Sequence, residues 1–146
     1  MAGTVATAAL ELATYADMLV RGRPASTVPA AAVGHLAERA GVDLGNEPQA
    51  AHRREAAGAL SGYATGIGVA TLYLLTERRV PGRRPFWVAA SALGALAMTA
   101  GNVPAIASGS TDPRQWDLAD WLADVVPHLA FGLAGAATAD AISRRR

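Results

Sequence analysis

Asp117, Asp120, Asp124 and His128 recur at three- and four-residue spacing in the last quarter of a 146-residue chain. On a helix advancing 100° per residue they project at about 0°, 300°, 340° and 20°, one stripe about 80° wide, with Trp121 on its border. Asp124 and His128 are one turn apart, close enough to pair. Carboxylates and an imidazole so spaced have three chemical uses. They ligate a divalent metal with help from other helices, relay protons or couple ion movement, or serve as the acid–base element of an enzyme. A non-chemical reading divides the segment at Pro127. Asp117, Asp120 and Trp121 then belong to a wet interfacial helix, and His128 is a hydrogen-bonded structural histidine. No HExxH or ExxH element is present, so no metal is assigned, and the sequence names no cofactor.

Other polar residues stand alone in apolar surroundings. Glu11 and Tyr15 share a helix face, with Met18 beside it. Glu11 is near mid-helix and is the best single candidate for a buried charge, with His128 a natural partner. Asp17 has Arg21 four residues on, a surface pair. Asn102 precedes Pro104, which leaves the carbonyl of Ala100 free, and the amide of Asn102 can bond across to another helix. The expected polar intramembrane site is therefore Glu11, Tyr15, Asn102, Asp124 and His128. Glu11, Asp124 and His128 are expected to meet in one polar cavity.

These residues must be positioned by membrane helices, because the charges are so unevenly placed. Apolar residues make up 51% of the chain and charged residues only 17%, against roughly 25% in an average soluble domain. Ala56–Thr76 is 21 residues without a charge, and Pro85–Thr111 is 27. Uncharged stretches of that length read as spans. Two weaker candidates flank them, interrupted only by Glu11 and Asp17 or by His128 and Asp140. The expectation is an all-α, four-helix transmembrane bundle in a single integral membrane domain over 1–146, with spans at about 2–20, 56–76, 86–108 and 125–143. An amphipathic surface helix at 28–40 occupies the first loop, begun near Ser26 or Thr27 with Pro29 in its first turn and closed by Gly41. Its apolar face is Val33, Leu36, Ala37 and Ala40, and it lies on the membrane surface or packs over the bundle. Gly58, Gly62 and Gly66 repeat at four residues, a small-residue face for helix packing or a homo-oligomer seam.

Composition also excludes some functions. Cysteine is absent, which removes disulfides and thiolate chemistry. A net charge of +1 provides no basic field for nucleic acid. No phosphate-binding glycine loop and no nucleophile elbow occurs. All 13 basic residues are arginine. Arg78, Arg79, Arg83 and Arg84 in one connection, and Arg144, Arg145 and Arg146 at the end of the chain, place both on the cytoplasmic side by the positive-inside rule. The N-terminus then falls on the same side, in the cell membrane. It lacks a basic stretch ahead of an apolar one, so the first helix is read as part of the mature protein.

Tyr15-Ala-Asp-Met18, Arg21-Gly-Arg-Pro-Ala-Ser26, Thr111-Asp-Pro-Arg-Gln-Trp116 and Asp120–Gly132 resemble uncharacterised small multi-pass membrane proteins of actinobacteria over most of the chain. That resemblance implies a bacterial membrane protein and carries no activity over. Glu11 in the first of four helices is also similar to small multidrug-resistance exporters, although residues 21–54 depart from their short loops. The sequence supports a small membrane protein with a polar intramembrane site: a transporter, channel or accessory subunit. The alternatives are a membrane-embedded enzyme acting on a lipid or isoprenoid, and a purely structural or interaction protein.

Overall fold

A computed structural model describes residues 1–77 and 84–144, and among these the chain is entirely helical. The elements are α1 (Ala2–Arg21), α2 (Val28–Ala40), α3 (Gln49–Glu77), α4 (Phe86–Ala107), a 3-10 turn (Pro113–Gln115) and α5 (Leu118–Ser143). Arg78, Arg79, Arg83, Arg145 and Arg146, used above to orient the chain, lie outside the described residues.

Local signals account for the boundaries. Gly22 and Gly41 close α1 and α2 in the left-handed conformation, at φ 62° and 67°, where a side chain would be strained. Asp117 caps α5 by accepting from the backbone N–H of Asp120. The Asp120 carboxylate accepts in return from the N–H of Asp117, a reciprocal capping box. The helix that begins there runs unbroken through Pro127 to Ser143. It is therefore one element from 118, seven residues earlier than the span expected from 125, and it does not divide at the proline. The cap fixes its start, and packing on both sides carries it past the missing N–H.

α3, α4 and α5 are each long and apolar enough to cross a membrane. α1 falls short of that measure; Glu11, Asp17 and Arg21 dilute it. α3, with 29 residues, is about 43 Å long.

α1, α5, α4 and α3 form a ring in which each helix packs on its two neighbours. Ala6 meets Gly135 of α5, and Gly3 meets Ile67 and Ala70 of α3. Phe86 lies beside Asp140 and Arg144, and Arg84 pairs with Glu77 at 2.8 Å. The helices therefore alternate in direction. The start of α1, the end of α3, the start of α4 and the end of α5 share one end, which carries Arg84 and Arg144 and is here the arginine end. The other is the α2 end.

α2 packs over the bundle. Gly58 of α3 touches Pro29 and Ala30, Gly34 receives Arg54, and Ala37 is buried. The buried side is thus the small-residue face, while Leu36 stays 67% exposed. His35 Nδ1 reaches Ser110 Oγ at 3.1 Å and ties α2 to the α4–α5 connection.

The core consists of Ala6, Ala70, Tyr73, Ala90, Leu93, Ala97, Phe131 and Ala136. They run from the arginine end to about the middle of the bundle, and Ala37, Ala50 and Ala105 are buried separately at the α2 end. The total accessible surface is 9408 Å², against about 7,000 Å² for a compact soluble monomer of this mass.

The closest approach is between α4 and α5. A Cβ on Gly132 would fall on the carbonyl oxygen of Ala90 and 2.9 Å from the amide of Gly94. A Cβ on Gly94 would stand 2.7 Å from the carbonyl oxygen of His128. Backbone cannot yield to either. Gly132→Ala should therefore destabilise the bundle by about 1–3 kcal/mol or more, read as a fall in thermal midpoint in detergent. Gly62→Ala, whose Cβ meets nothing within 4 Å, should leave that midpoint unchanged.

Candidate functional site

Asn102 on α4 and Asp124 and His128 on α5 come together. Asn102 Nδ2 donates to Asp124 Oδ2 at 2.7 Å. His128 Nδ1 lies 2.7 Å from the backbone carbonyl oxygen of Asp124 and 3.3 Å from its Oδ1. A carbonyl oxygen only accepts, so Nδ1 carries the hydrogen. In the neutral ring Nε2 is then a bare acceptor. The same logic orients Asn102: its NH2 faces the carboxylate, and its Oδ1 is left free. Pro127 explains part of this arrangement. It cannot donate to the carbonyl of Ala123 and opens the turn, and the imidazole N–H supplies a donor one residue further on.

The triad lies at a transition that all four ring helices share. Residues spaced by four, seven and eleven lie on one helix face. On α5 the fully buried Phe131 is followed on its own face by His128 and Asp124, whose side chains are 17% and 20% exposed. On α4 the face of Ala90, Gly94 and Ala97 continues to Gly101, which is exposed with nothing within 4 Å of a Cβ built there. On α3 the buried Gly66 is followed by Gly62, Ala59 and Glu55, all exposed, and Gly62 again meets nothing. On α1 the buried Ala6 leads to Asp17, which pairs with Arg21 at 2.6 Å and Arg23 at 2.5 Å. The interior is thus sealed toward the arginine end by Phe131 and Leu93. Toward the α2 end these faces are more exposed and more polar, although Ala105 of α4 is buried again, and the triad stands just above the seal.

The remaining expected site residues lie elsewhere. Glu11 is half-buried and makes no hydrogen bond or ion pair with the described residues. It sits about 40° beyond Thr7 on α1, on the side facing α3, where Thr7 meets Gly66. Tyr15 is 61% exposed and points away from the interior. Asp117 and Asp120 serve as caps, and Trp121 stacks edge-on against Trp116 with ring centres 5.0 Å apart. Of the three repeated glycines, Gly58 meets α2 and Gly66 meets Thr7 and Phe131. Only Gly62 of that repeat faces open space. Among the described residues no three of His, Asp and Glu converge as a metal-ligand group.

Several features were not singled out from the sequence. The spacing of Asp117 and Asp120 does carry a capping signal. Gly101 and the buried Tyr73 hydroxyl, which lies near Glu77, carry none. A separate groove of about 400 Å³ lies between α2 and the first turns of α3, away from the triad, with His35, Glu38, Asp43, Glu47 and Arg54 in its walls. The Arg54 hydrogen bond holds the Glu47 carboxyl below the usual carboxylate range. A lowered folded-state pKa stabilises above the ordinary value, and that contribution is lost as pH falls through the lowered one. Amide exchange over 44–54 should therefore rise below about pH 4.

Family models, curated proteins and solved structures contain no match to this chain. The geometry alone carries the functional reading.

Asn102→Ala removes one interhelical hydrogen bond, and the thermal midpoint in detergent should fall by the equivalent of about 0.6–2 kcal/mol. Asn102→Asp should cost more at neutral pH, because it sets a second carboxylate against Asp124. Equal stability of the two variants would show that the Asn102–Asp124 contact is not made.

Proposed function

We propose that the chain is a four-span integral protein of the cell membrane with both termini cytoplasmic. It admits a polar solute from the outer side to the Asn102–Asp124–His128 triad, as a small transporter or the solute-binding subunit of one. The observation that carries this reading is the shared transition on four helices from a sealed interior to an open, polar one. A protein built only to pack would continue the seal to both ends. The vestibule opens at the α2 end, where Arg21, Arg23, Arg39, Arg53, Arg54 and Arg114 are interspersed with acids, and the uninterrupted arginine clusters of the sequence flank the opposite helix ends, which the positive-inside rule makes cytoplasmic.

Three further features support α1 as the fourth span. Val5, Leu12 and Leu19 repeat every seven residues on its exposed side, and all three are well exposed. A helix turned to water would carry polar residues there. Aromatic rings mark both ends of the bundle, Phe86 and Trp87 at one and Trp116 and Trp121 at the other, as at membrane interfaces. Large apolar side chains such as Leu12, Leu19, Leu60 and Leu72 stand exposed on the ring helices, where lipid would cover them.

A second reading has a specific observation in its favour. The Asn102–Asp124 bond joins α4 to α5 and would serve equally as a polar clamp in a structural protein.

Two experiments test these statements. Cysteines at Asp43 and at Ser143 should label with a membrane-impermeant reagent from opposite sides, and a tag ahead of Met1 should be reached from the Ser143 side. A tag reached from the Asp43 side would remove α1 as a span. Gly62→Cys should react from outside with a charged, water-soluble thiol reagent, while Leu93→Cys stays inert. If both are inert, the interior is closed and the clamp reading stands instead.

A further inference from the structure

The triad has an acceptor pattern that points to a class of solute. Its internal bonds use two of its three donors. Asn102 spends one N–H on Asp124, and His128 spends its N–H on the Asp124 carbonyl. The groups left free are Asn102 Oδ1, the unused lone pairs of the Asp124 carboxylate and His128 Nε2, with the second N–H of Asn102 the one donor among them. Three groups accept, and with a neutral ring and an ionised Asp124 the triad carries one negative charge. A primary ammonium group carries one positive charge and three N–H donors, which matches that count.

The charges around the triad act in the same direction. α4, which packs directly on α5, contains no acid, base or histidine. α1 brings Asp17, already held by Arg21 and Arg23, and Glu11, which has no cation beside it among the described residues. α3 brings Glu55 on its vestibule face, likewise without a cation. The vestibule is net acidic.

We propose that the Asn102–Asp124–His128 triad binds a small primary ammonium ion and exchanges it for a proton, an assignment that rests on the outward-open vestibule of the preceding reading. The exchange is one for one. A proton adds to the Nε2 lone pair, the ring becomes a cation beside the Asp124 carboxylate, and the triad falls from one negative charge to none. Nε2 turns from acceptor to donor, so the ammonium loses a hydrogen bond and its countercharge together. Because binding linkage is reciprocal, bound ammonium must oppose protonation of His128 to the same degree that the proton opposes ammonium.

The test is a titration of the whole protein in lipid nanodiscs, labelled with 15N-histidine. His128→Gln identifies the signal of His128 among those of the 3 histidines. Neutral His128 should show the Nδ1–H tautomer. Methylammonium at saturation should lower its protonation midpoint by about half a pH unit or more, a threefold change in proton affinity. Tetramethylammonium, with the same charge and no N–H, should leave the midpoint in place, and Asp124→Asn should abolish the methylammonium effect. No shift with methylammonium, an equal shift with tetramethylammonium, or a full effect in a folded Asp124→Asn protein overturns the assignment. Should Asp124→Asn not fold, the two ions on the wild-type protein decide it. A null titration in a protein whose Gly62→Cys still labels from outside removes the ammonium assignment alone. A null titration with an inert Gly62→Cys removes the vestibule as well.

Discussion

The contact on which the rest depends is backbone against backbone: Gly132 of α5 on the carbonyl of Ala90, and Gly94 of α4 on the carbonyl of His128. Helices in lipid gain nothing from hiding apolar side chains, since lipid is as apolar as leucine. They associate through close packing, and only glycine lets two backbones come this near. The contact sets the register of α4 on α5, and that register brings Asn102 opposite Asp124 two turns further along. It also leaves room for Phe131 to reach the axis and, with Leu93, seal it. A shift of one residue in either helix would separate the amide from the carboxylate and leave both unpaired at depth.

Ionisable groups inside a membrane are costly unless they are paired or used. Asp124 begins about six residues, or 9 Å, into α5, and His128 about 15 Å in. Both are held by hydrogen bonds that do not require a countercharge. Pairing of this kind fixes the side chains and leaves acceptor atoms free. The arginine pairs lie elsewhere: Arg21 and Arg23 hold Asp17 near the rim, and Arg144 holds Asp140 near the opposite end. Arginine thus pairs Asp17 and Asp140 near the ends of the bundle, while Asp124 is held by Asn102 and His128.

Much of this was legible in the residues and some of it could not be. The helices over 2–21, 28–40 and 86–107 follow from charge-free runs, glycine stops and proline starts. The pairing of Asp124 with His128 follows from their spacing, because both lie on one helix and helical geometry is fixed. The bond from Asn102 was open to expectation only as a bond to some other helix, since a donor's partner depends on register. Glu11 shows the same limit from the other side. Its depth along α1 is clear from the sequence, yet the side of α1 that meets α5 depends on where Ala6 and Thr7 find glycines to pack on. α5 begins seven residues before the span expected from 125, because the aspartates at 117 and 120, which look like surface charge, have a spacing that also makes a cap. Gly101 and Gly62 give no sign in the sequence of facing open space, because an unfilled interior is a property of four helices together.

The division of the bundle into two halves follows from how these parts share the work of folding. The α2-side half contributes less packing, since Gly62 and Gly101 there meet nothing within 4 Å. Its stability must come from the other half, and there the small residues are concentrated: Ala6, Ala70, Ala90, Ala97, Gly132 and Ala136 around Phe131 and Leu93. The open half is then kept from collapsing by elements that hold the helices at fixed separation. α2 wedges against α3 at Gly58 and ties to Ser110 through His35. Arg21 reaches from α1 to the carbonyl of Ala119 on α5 at 3.2 Å. These contacts sit at the rim and leave the axis clear. If the rim ties fix the gap and the seal supplies the stability, the triad is free of structural duty beyond the Asn102 bond. That freedom is what a binding site requires, because a residue needed to hold the fold cannot also change its partners when a solute arrives.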